Sequence, residues 1–530
     1  MMRITNGMMT SNTKNNININ KLNEDRLNTQ IATGQVISRP SEDPVVAIRA
    51  LRLNTNLSQL TQYYKKNIPD AEAWMNVTET ALKQTNQIFT NIKENLTTGA
   101  SDDNTANDRQ KILESLKGLR AELYSSGNAD YAERTVFTGY RTGESLTFLA
   151  TDTDLNSEYM IHETFDAKAL ETFNYITSDL DDETEVTQNE ISRIRLSYDK
   201  LMGSLPGGKI SLSAGDPDAV PSTQVTADIT VTTMSIAGKN PDEIDDIYIS
   251  VKNDPAKAVF IPETGEILMG KTAVGTYSSF FSTNASLVPA PSASIEYNKD
   301  NWQSGDLRPE HYFACTQTTG TPPTTTYFNY DPKVDGSGKL VIPTEPDHTK
   351  PNFKNQNMEI EISFNQKITI NTHANEVYTH DIGRDIDDLL RVTQDVVDAE
   401  EKVTAAEKKL AAASDADKAT VQKELDAANK EFSLKKARMQ KMFSEGLDKF
   451  DAYADRNNVA IANIGSMQSR LSITKERVAD QLQSFKELAD KNINAELTES
   501  SIDFSNAKLA LEAAQLAAGK ISQQTLLNYL

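Results

Sequence analysis

The sequence predicts an α+β fold: a long coiled-coil helical bundle formed by both termini, with an inserted β-rich central domain. Three observations lead there. Residues 1–125 and 380–530 carry apolar residues at helical spacing, the pattern of helices that must bury one face. Residues 151–379 are instead rich in Thr, Ser, Pro and Gly and show short runs of two-residue alternation, which read as strands. The chain is also 530 residues long with a mean hydropathy of −0.52, too long and too polar for one compact core. Five segments follow: 1–44, an N-terminal assembly helix and bend; 45–150, the N-terminal half of the helical core; 151–379, an outer domain of one or two subdomains; 380–488, the C-terminal half of the core; and 489–530, a C-terminal assembly helix.

The first segment is the weakest helix. Residues 1–30 contain 8 Asn among scattered apolar positions, Ile4, Ile17, Ile19, Leu22 and Leu27, with Ile31 just beyond. In isolation it is expected to be largely disordered. Gly34 and then Arg39-Pro40-Ser41-Glu42-Asp43-Pro44 break the pattern, with Ser41 the expected N-cap of the next helix and Pro44 in its first turn. From Val45 the pattern strengthens. After Pro69 the series Ala71, Met75, Thr78, Leu82, Thr85, Phe89, Ile92, Leu96 alternates spacings of four and three, a heptad seam. Gly99 and Ser101-Asp102-Asp103-Asn104 end it, and Ile112, Leu116, Leu119 and Leu123 form a shorter helix alongside. The stretch 136–148, with β-formers around Gly139 and Gly143, reads as a hairpin packed on these helices.

Within the insertion, strands are expected at 191–196, 226–235 and 246–251. Ile360, Ile362 and Phe364 alternate up to Asn365-Gln366, and Ile368 and Ile370 alternate away, which makes a second hairpin. Helix returns near Ile386. Val396, Ala399, Val403, Ala406, Leu410 and Ala413 form one seam; Val421, Leu425, Ala428, Phe432, Lys435, Met439 and Met442 form another, out of phase across Ser414-Asp415-Ala416-Asp417. Either a helical hairpin over 394–445 or one long helix with a stutter gives this phase change, and Ser414 with Asp417, close to a capping box, favours the hairpin. A third seam runs from Phe450 through Tyr453, Asn457, Ala460, Ile464, Met467, Leu471, Thr474, Val478 and Gln481 to Phe485, long enough to lie along 71–96. The core seam is therefore assigned to Met75, Leu82, Phe89, Leu96, Ile464, Met467, Leu471 and Val478.

The last helix carries two stripes. Ile502, Leu509 and Leu516 repeat every seven residues, and so do Phe504, Leu511 and Ala518, about 200° around the axis from the first set at about 100° per residue. One folded partner cannot cover both, so the N-terminal segment is expected to fill one side and neighbouring subunits the other. The expected assembly surface comprises Ile4, Ile17, Leu22, Leu27 and Ile31, together with Ile502, Phe504, Leu509, Leu511, Leu516, Ile521, Leu526, Leu527 and Leu530.

Composition excludes several function classes. A formal charge of −22 opposes nucleic acid and anionic membrane surfaces, which need clustered Lys and Arg. Cys315 is the only cysteine, so neither an internal disulfide nor a thiolate metal cluster can form. No apolar stretch reaches the roughly 18 residues needed to span a bilayer, and the start lacks the apolar core of a cleaved signal peptide. Gly265-Glu266-Ile267-Leu268-Met269-Gly270-Lys271-Thr272 satisfies the phosphate-loop pattern, but Ile-Leu-Met reads as strand and 273–278 as strand or loop, so chance explains it better. Asp152, Asp154, Asn156 and Glu163 occupy calcium-loop positions without the central Gly, which favours a solvated acidic loop. The five histidines have no metal spacing and no G-x-S-x-G elbow is present. No catalytic, cofactor or metal site is expected, and an enzyme is the least favoured class; the Thr/Ser-rich middle could carry O-linked glycans, which composition alone does not show.

Three stretches carry a family resemblance: Met2-Arg3-Ile4-Thr5-Asn6; Ser38-Arg39-Pro40-Ser41-Glu42-Asp43-Pro44 with Arg49-Ala50-Leu51-Arg52-Leu53; and Ile521-Ser522-Gln523-Gln524-Thr525-Leu526-Leu527-Asn528-Tyr529-Leu530. Together they resemble the hook-filament junction family of the flagellin superfamily. Ile464-Gly465-Ser466-Met467-Gln468-Ser469-Arg470-Leu471 is similar to a segment shared with flagellin, so the likeness covers roughly 1–150 and 375–530. Glu42 stands where that family commonly has Asp, Ala32-Thr33-Gly34 replaces Ser-Ser-Gly, and 394–445 looks like an extension. The resemblance implies a structural subunit of the bacterial flagellum, exported unfolded without a cleaved signal peptide, that polymerises through paired terminal helices into an extracellular ring or tubular layer. It implies as partners other copies of the chain, the adjoining hook-associated protein on the hook side, flagellin on the filament side and an export chaperone on the C-terminal helix. A major or minor filament subunit is the alternative, opposed by the Leu526-Leu527-Asn528-Tyr529-Leu530 end and the Arg-Pro-Ser bend.

Overall fold

The computed structural model of the protein describes residues 6–178, 186–216, 223–320, 322–333, 346–415 and 417–527. In chain order the N-terminal helices are α1 (Asn6–Thr33), α2 (Pro44–Gln62), α3 (Ile68–Gly99) and α4 (Ala106–Ser126), with a π-helical turn, Tyr63–Asn67, between α2 and α3. The insertion contains β1 (Asp130–Tyr131), β2 (Arg134–Thr135), β3 (Glu158–Phe165), β4 (Leu170–Ile176), β5 (Gln188–Arg195), β6 (Lys209–Ala214), β7 (Val225–Thr230) and β8 (Thr232–Thr233). Next come α5 (Pro241–Asn253), β9 (Ala258–Ile261), β10 (Glu266–Met269), α6 (Lys271–Thr283), β11 (Ser292–Lys299), β12 (Ala314–Thr319), β13 (Thr324–Phe328), β14 (Tyr330–Pro332) and β15 (Pro346–Pro351). The hairpin β16 (Glu359–Ser363) and β17 (Gln366–Thr369) leads to α7 (Ala374–Val377), α8 (His380–Ala412), α9 (Lys418–Ile493) and α10 (Leu497–Leu527).

The described chain forms two compact units. The first comprises residues 1–72, 359–368 and 467–530; the second comprises 73–358 and 369–466. In the first unit α2 starts where Pro44 dictates: Pro44 at the first helical position makes Asp43 the N-cap, and its Oδ1 accepts from Val45 N at 2.9 Å and Val46 N at 3.1 Å. The expected cap, Ser41, is displaced from this role. Glu42 instead folds back, its two carboxylate oxygens accepting from Ser38 N and Ser38 Oγ at 2.9 Å each. The β16–β17 hairpin turns at Asn365, whose φ of 54° is the left-handed conformation that Asn tolerates. It is tied to the π turn by Tyr63 Oη donating to Glu361 at 2.9 Å and Asn67 Nδ2 donating to the Glu361 carbonyl at 2.7 Å.

In the second unit, α3 runs antiparallel to α9. Leu82, Phe89 and Leu96 meet α9 in descending order: Asn457 Nδ2 donates to the Leu82 carbonyl at 2.7 Å, the Phe89 and Phe450 rings stand 6.3 Å apart, and Gly446 lies against Leu96. The seam also buries Thr78, Thr85 and Asn457; each has a hydrogen bond, Thr78 and Thr85 to carbonyls four residues back. A buried polar residue at a seam position penalises every register in which it loses its partner. After Ala412 the chain reverses, with Lys402 pairing to Glu431 at 2.9 Å and Lys409 to Glu424 at 3.0 Å across α8 and α9.

The insertion is a two-sheet sandwich. One sheet has the order β4-β5-β10-β9-β8, the other β13-β12-β3-β11-β6-β7. Ile194, Phe260, Ile267 and Met269 face the interior shared with Tyr159, Ile161, Ile210, Leu212, Ile295 and Tyr297. The opposite face of the first sheet, Ile191, Val259, Ile261 and Leu268, packs on α5. β9 and residues 267–269 of β10 are thus covered on both sides, which is why they are apolar runs without alternation.

Three local expectations are corrected. Residues 246–251 are helix, not strand: Asn240 and Glu243 form a capping box with Pro241 at the first position, and Ile247, Tyr248 and Val251 then share the face buried on the sheet. Residues 273–278 belong to α6 and are also helical. The stretch 136–148 is not a hairpin. Only the short pair β1–β2 precedes it, around Ala132 and Glu133 at positive φ, and it is held by tertiary bonds such as Phe148 N to the Asp306 carbonyl at 2.8 Å.

Candidate assembly interface

The first unit brings together the two ends of the described chain. α1 and α10 lie side by side, antiparallel, because a backbone clasp joins the end of α1 to the start of α10. Ala495 N donates to the Gly34 carbonyl at 2.9 Å and Val36 N to the Ile493 carbonyl at 2.8 Å. Gly34 adopts φ +67°, the left-handed cap that ends α1 at low steric cost. Farther along, Asn20 Nδ2 donates to the Ala510 carbonyl at 3.4 Å.

This pairing sorts the two stripes of α10. Leu511 is buried and 8% exposed, and Phe504, Ala507, Ala514 and Ala518 are half-buried. On the other side Ile502, Leu509 and Leu516 are 58%, 63% and 71% exposed. On α1, Leu27 is buried and Ile17 and Ile31 half-buried, while Leu22 is 69% exposed. Ile4 and Leu530 lie outside the described residues, and the side chains of Ile521, Leu526 and Leu527 are likewise not described. Of the core-seam residues, Met75, Leu82, Phe89, Leu96, Ile464, Leu471 and Val478 are buried and Met467 is half-buried.

Sequence reasoning missed other exposed apolar positions in this unit. Val45, Ile48 and Leu51 form an open stripe on α2, and Met8, Met9 and Ile19 are open on α1. The three-residue spacing on α2 was a readable signal, but the same spacing also marks a buried face, and only the fold separates the two. Contiguous apolar surface left open on a folded monomer marks an interaction site.

The second unit contains a buried charge cluster. Arg193 and Arg195 on β5 reach toward α8. Arg193 bonds Asp388 and Glu266; Arg195 bonds Asp385 at 2.8 Å, Asp388 at 3.0 Å and Glu171 at 2.9 Å; Arg391 bonds Glu266 and Asp388 at 2.7 Å each. Burial opposes ionisation of Glu266 and Asp388, but the arginines outweigh it and hold both carboxyls below the usual range. With Lys449 on Asp385 at 2.8 Å, four cations meet four carboxylates, a balanced structural network.

The rejected motifs have clear fates. The four residues between the two glycines of the would-be phosphate loop, Glu266–Met269, are β10 itself. The amides of Thr272 and Ala273, at the start of α6, donate to the Pro255 carbonyl at 2.8 and 3.4 Å, and a Cβ on Gly270 would meet that same oxygen at 2.5 Å. In the calcium-like loop, Arg308 takes the place of a cation, bonding Asp152 at 2.6 Å and Asp154 at 2.8 Å, while Glu163 is turned to Ser197 and Tyr297. Among the described residues no metal-ligand cluster exists, and no helix is long and apolar enough to cross a membrane.

Paired terminal helices with one apolar stripe covered and one open define a helical-hairpin class of terminal module, and the chain has the following likenesses among known proteins. Residues 4–142 match the family described as the bacterial flagellin N-terminal helical region. More particularly, the chain is similar to flagellar hook-associated protein 3 of Salmonella typhimurium, at 27% identity over 142 residues, covering 27% of this chain and 44% of that protein. It is similar to the Escherichia coli protein of the same name at 28% identity over 114 residues, covering 21% and 36%. The match therefore spans less than half the length of either relative. A solved structure of flagellar hook associated protein-3 from Legionella pneumophila aligns over 83% of this chain and 98% of that one, at 8% identity and a TM-score of 0.28.

Proposed function

We propose that this protein is a structural, non-catalytic subunit of the bacterial flagellum that joins hook to filament. The observation that carries this reading is the antiparallel α1–α10 pair with Ile502, Leu509 and Leu516 open on its outer side, in a chain whose residues 4–142 match a flagellin helical region. Similarity to hook-associated protein 3 favours the junction over the filament itself, and with it the adjoining hook-associated protein, flagellin and further copies of this chain as partners. Export without a cleaved signal peptide, with a chaperone shielding the apolar last helix, completes the proposal. A two-helix terminal module with little core of its own orders fully only when neighbours cover it, which couples folding to assembly and limits polymerisation before export.

The test is motility and electron microscopy of cells lacking the protein. Hooks without filaments, with flagellin released into the medium, are expected. Normal filaments would refute the junction role and return the flagellin-type filament subunit as the reading to examine.

A further inference from the structure

Two apolar stripes are open in the first unit, and the charges beside them are of opposite sign. On α2, Val45, Ile48 and Leu51 are each more than half exposed, while Ala47 and Leu60 on the other side of the helix are buried. At about 100° per residue, Arg52 falls in line with Val45 and Ile48, one turn on, and Arg49 falls beside Val45. Both arginines are exposed, and neither forms an ion pair among the described residues. In a chain of formal charge −22 this is an apolar strip with a cationic margin.

The open stripe of α10 has the opposite margin. By the same geometry Glu499 and Asp503 stand together on one flank of Ile502, both exposed and outside any ion pair among the described residues. On the other flank Glu512 and Lys508 offset each other. The two strips also match in length: Val45 to Leu51 spans about 9 Å of helix axis and Ile502 to Leu509 about 10 Å. Each charged margin is a like-charge pair at neighbouring helical positions, Arg49 with Arg52 and Glu499 with Asp503, which is unfavourable in an isolated copy and relieved by charges of the opposite sign. Within one copy both stripes remain open, so neither covers the other.

We propose that the α2 stripe of one copy docks on the α10 stripe of the next, Val45, Ile48 and Leu51 against Ile502 and Leu509, with Arg49 and Arg52 facing Glu499 and Asp503. The contact joins two different surfaces, so every copy retains one of each for a further neighbour and the contact propagates into a ring or a helical layer. It rests on the reading of the chain as a self-assembling structural subunit, and it specifies which surfaces meet.

Charge exchange between copies tests it, read as the critical concentration for polymerisation of the purified full chain, with circular dichroism to confirm folding. Arg49→Glu/Arg52→Glu and Glu499→Arg/Asp503→Arg are each expected to raise the critical concentration about tenfold, because attraction becomes repulsion at the same margin. A chain carrying all four substitutions, and an equal mixture of the two reversed chains, should both return to within about threefold of the parent, since every α2 margin again meets an α10 margin of opposite sign. Lys65→Glu/Lys66→Glu, exposed on the π turn, makes the same change in net charge and should leave assembly unaltered. As a measurement independent of charge, a chain with Ile48→Cys mixed with one carrying Ile502→Cys or Leu509→Cys should give a disulfide-linked dimer on oxidation with copper phenanthroline. Silent reversals, absent recovery, an equal rise with the Lys65 and Lys66 variant, or no cross-link in a parent that assembles would overturn this contact alone and give the two stripes to other chains. A parent that does not self-associate would overturn the contact together with the self-assembling reading.

Discussion

Leu509 and Leu511 are two residues apart on α10 and differ in what they are asked to do, so truncating each to alanine separates assembly from folding. Leu511 is 8% exposed against α1 and Leu509 is 63% exposed. Covering a leucine side chain completely contributes about 2 kcal/mol, and about two-thirds of that remains to be gained at Leu509. Alanine retains part of the contact, so Leu509→Ala should weaken each subunit contact by about 1 kcal/mol, or about fivefold in association. Applied to Ile502, Leu509 and Leu516 together, the same arithmetic gives about 4 kcal/mol of potential burial, close to three decades in affinity. Leu511→Ala acts within one chain and should destabilise the α1–α10 pair by about 2 kcal/mol, the lower end for buried leucines because only one neighbouring helix surrounds it. The assay pairs thermal melting of helicity in dilute monomer with the critical concentration for polymerisation. Leu509→Ala is expected to melt like the parent and raise the critical concentration about fivefold; Leu511→Ala is expected to lower the melting of the terminal pair. If Leu509→Ala unfolds the terminal helices as much as Leu511→Ala does, or leaves the critical concentration unchanged, the assignment of the open stripe to neighbours is wrong.

Two further predictions concern the second unit. Glu163 is buried, which pushes its carboxyl up to about 7 despite hydrogen bonds from Ser197 and Tyr297; the folded state therefore holds its proton to higher pH than the unfolded chain. Its contribution is fully present at low pH and is lost as pH rises through about 7, so stability should fall by roughly 3 kcal/mol between pH 4 and 8 from this group, and Glu163→Gln should flatten that slope in urea titrations. An identical slope in the variant would show that the carboxyl titrates normally. Removing Asp388 takes one carboxylate partner from each of Arg193, Arg195 and Arg391 and leaves the cluster with an excess buried positive charge, so Asp388→Ala should destabilise the unit by about 3 kcal/mol in chemical denaturation, and a loss below about 1 kcal/mol would mean that water already screens the cluster. Because Glu266 and Asp388 are held below their usual range, the stabilisation from them is complete above about pH 4 and is lost as pH falls through their folded values.

Much of the helical architecture was legible because it is written at fixed spacing. The heptad from Ala71 to Leu96 and the seam from Phe450 to Phe485 specify helices and their buried faces, whatever else is present. The hairpin around Asn365 was likewise marked by alternation on both sides of a turn residue. The failures came where a short run fits two periods. Residues 246–251 alternate, but Ile244, Ile247, Tyr248 and Val251 also fit a helix, and the capping residues Asn240, Pro241 and Glu243 decide in its favour. At 136–148 the β-formers serve packing and tertiary bonds, not a ladder. At the α2 start, Pro44 outranked Ser41 because proline fixes the first helical position and so the cap before it.

By itself the sequence determined that the chain has apolar helical ends, a β-rich middle and a last helix with two apolar stripes, because periodicity depends only on local geometry. Which stripe is covered was decided by tertiary structure: the Gly34–Ala495 clasp fixes how α1 meets α10, placing Leu511 inside and Leu509 outside. The same holds for charge. Arg193 and Asp388 are 195 positions apart, and nothing local marks either as buried; likewise, Arg308 neutralises Asp152 and Asp154 from the far side of the insertion. Electrostatic partners are chosen by distance in space, and a sequence pattern records only distance along the chain.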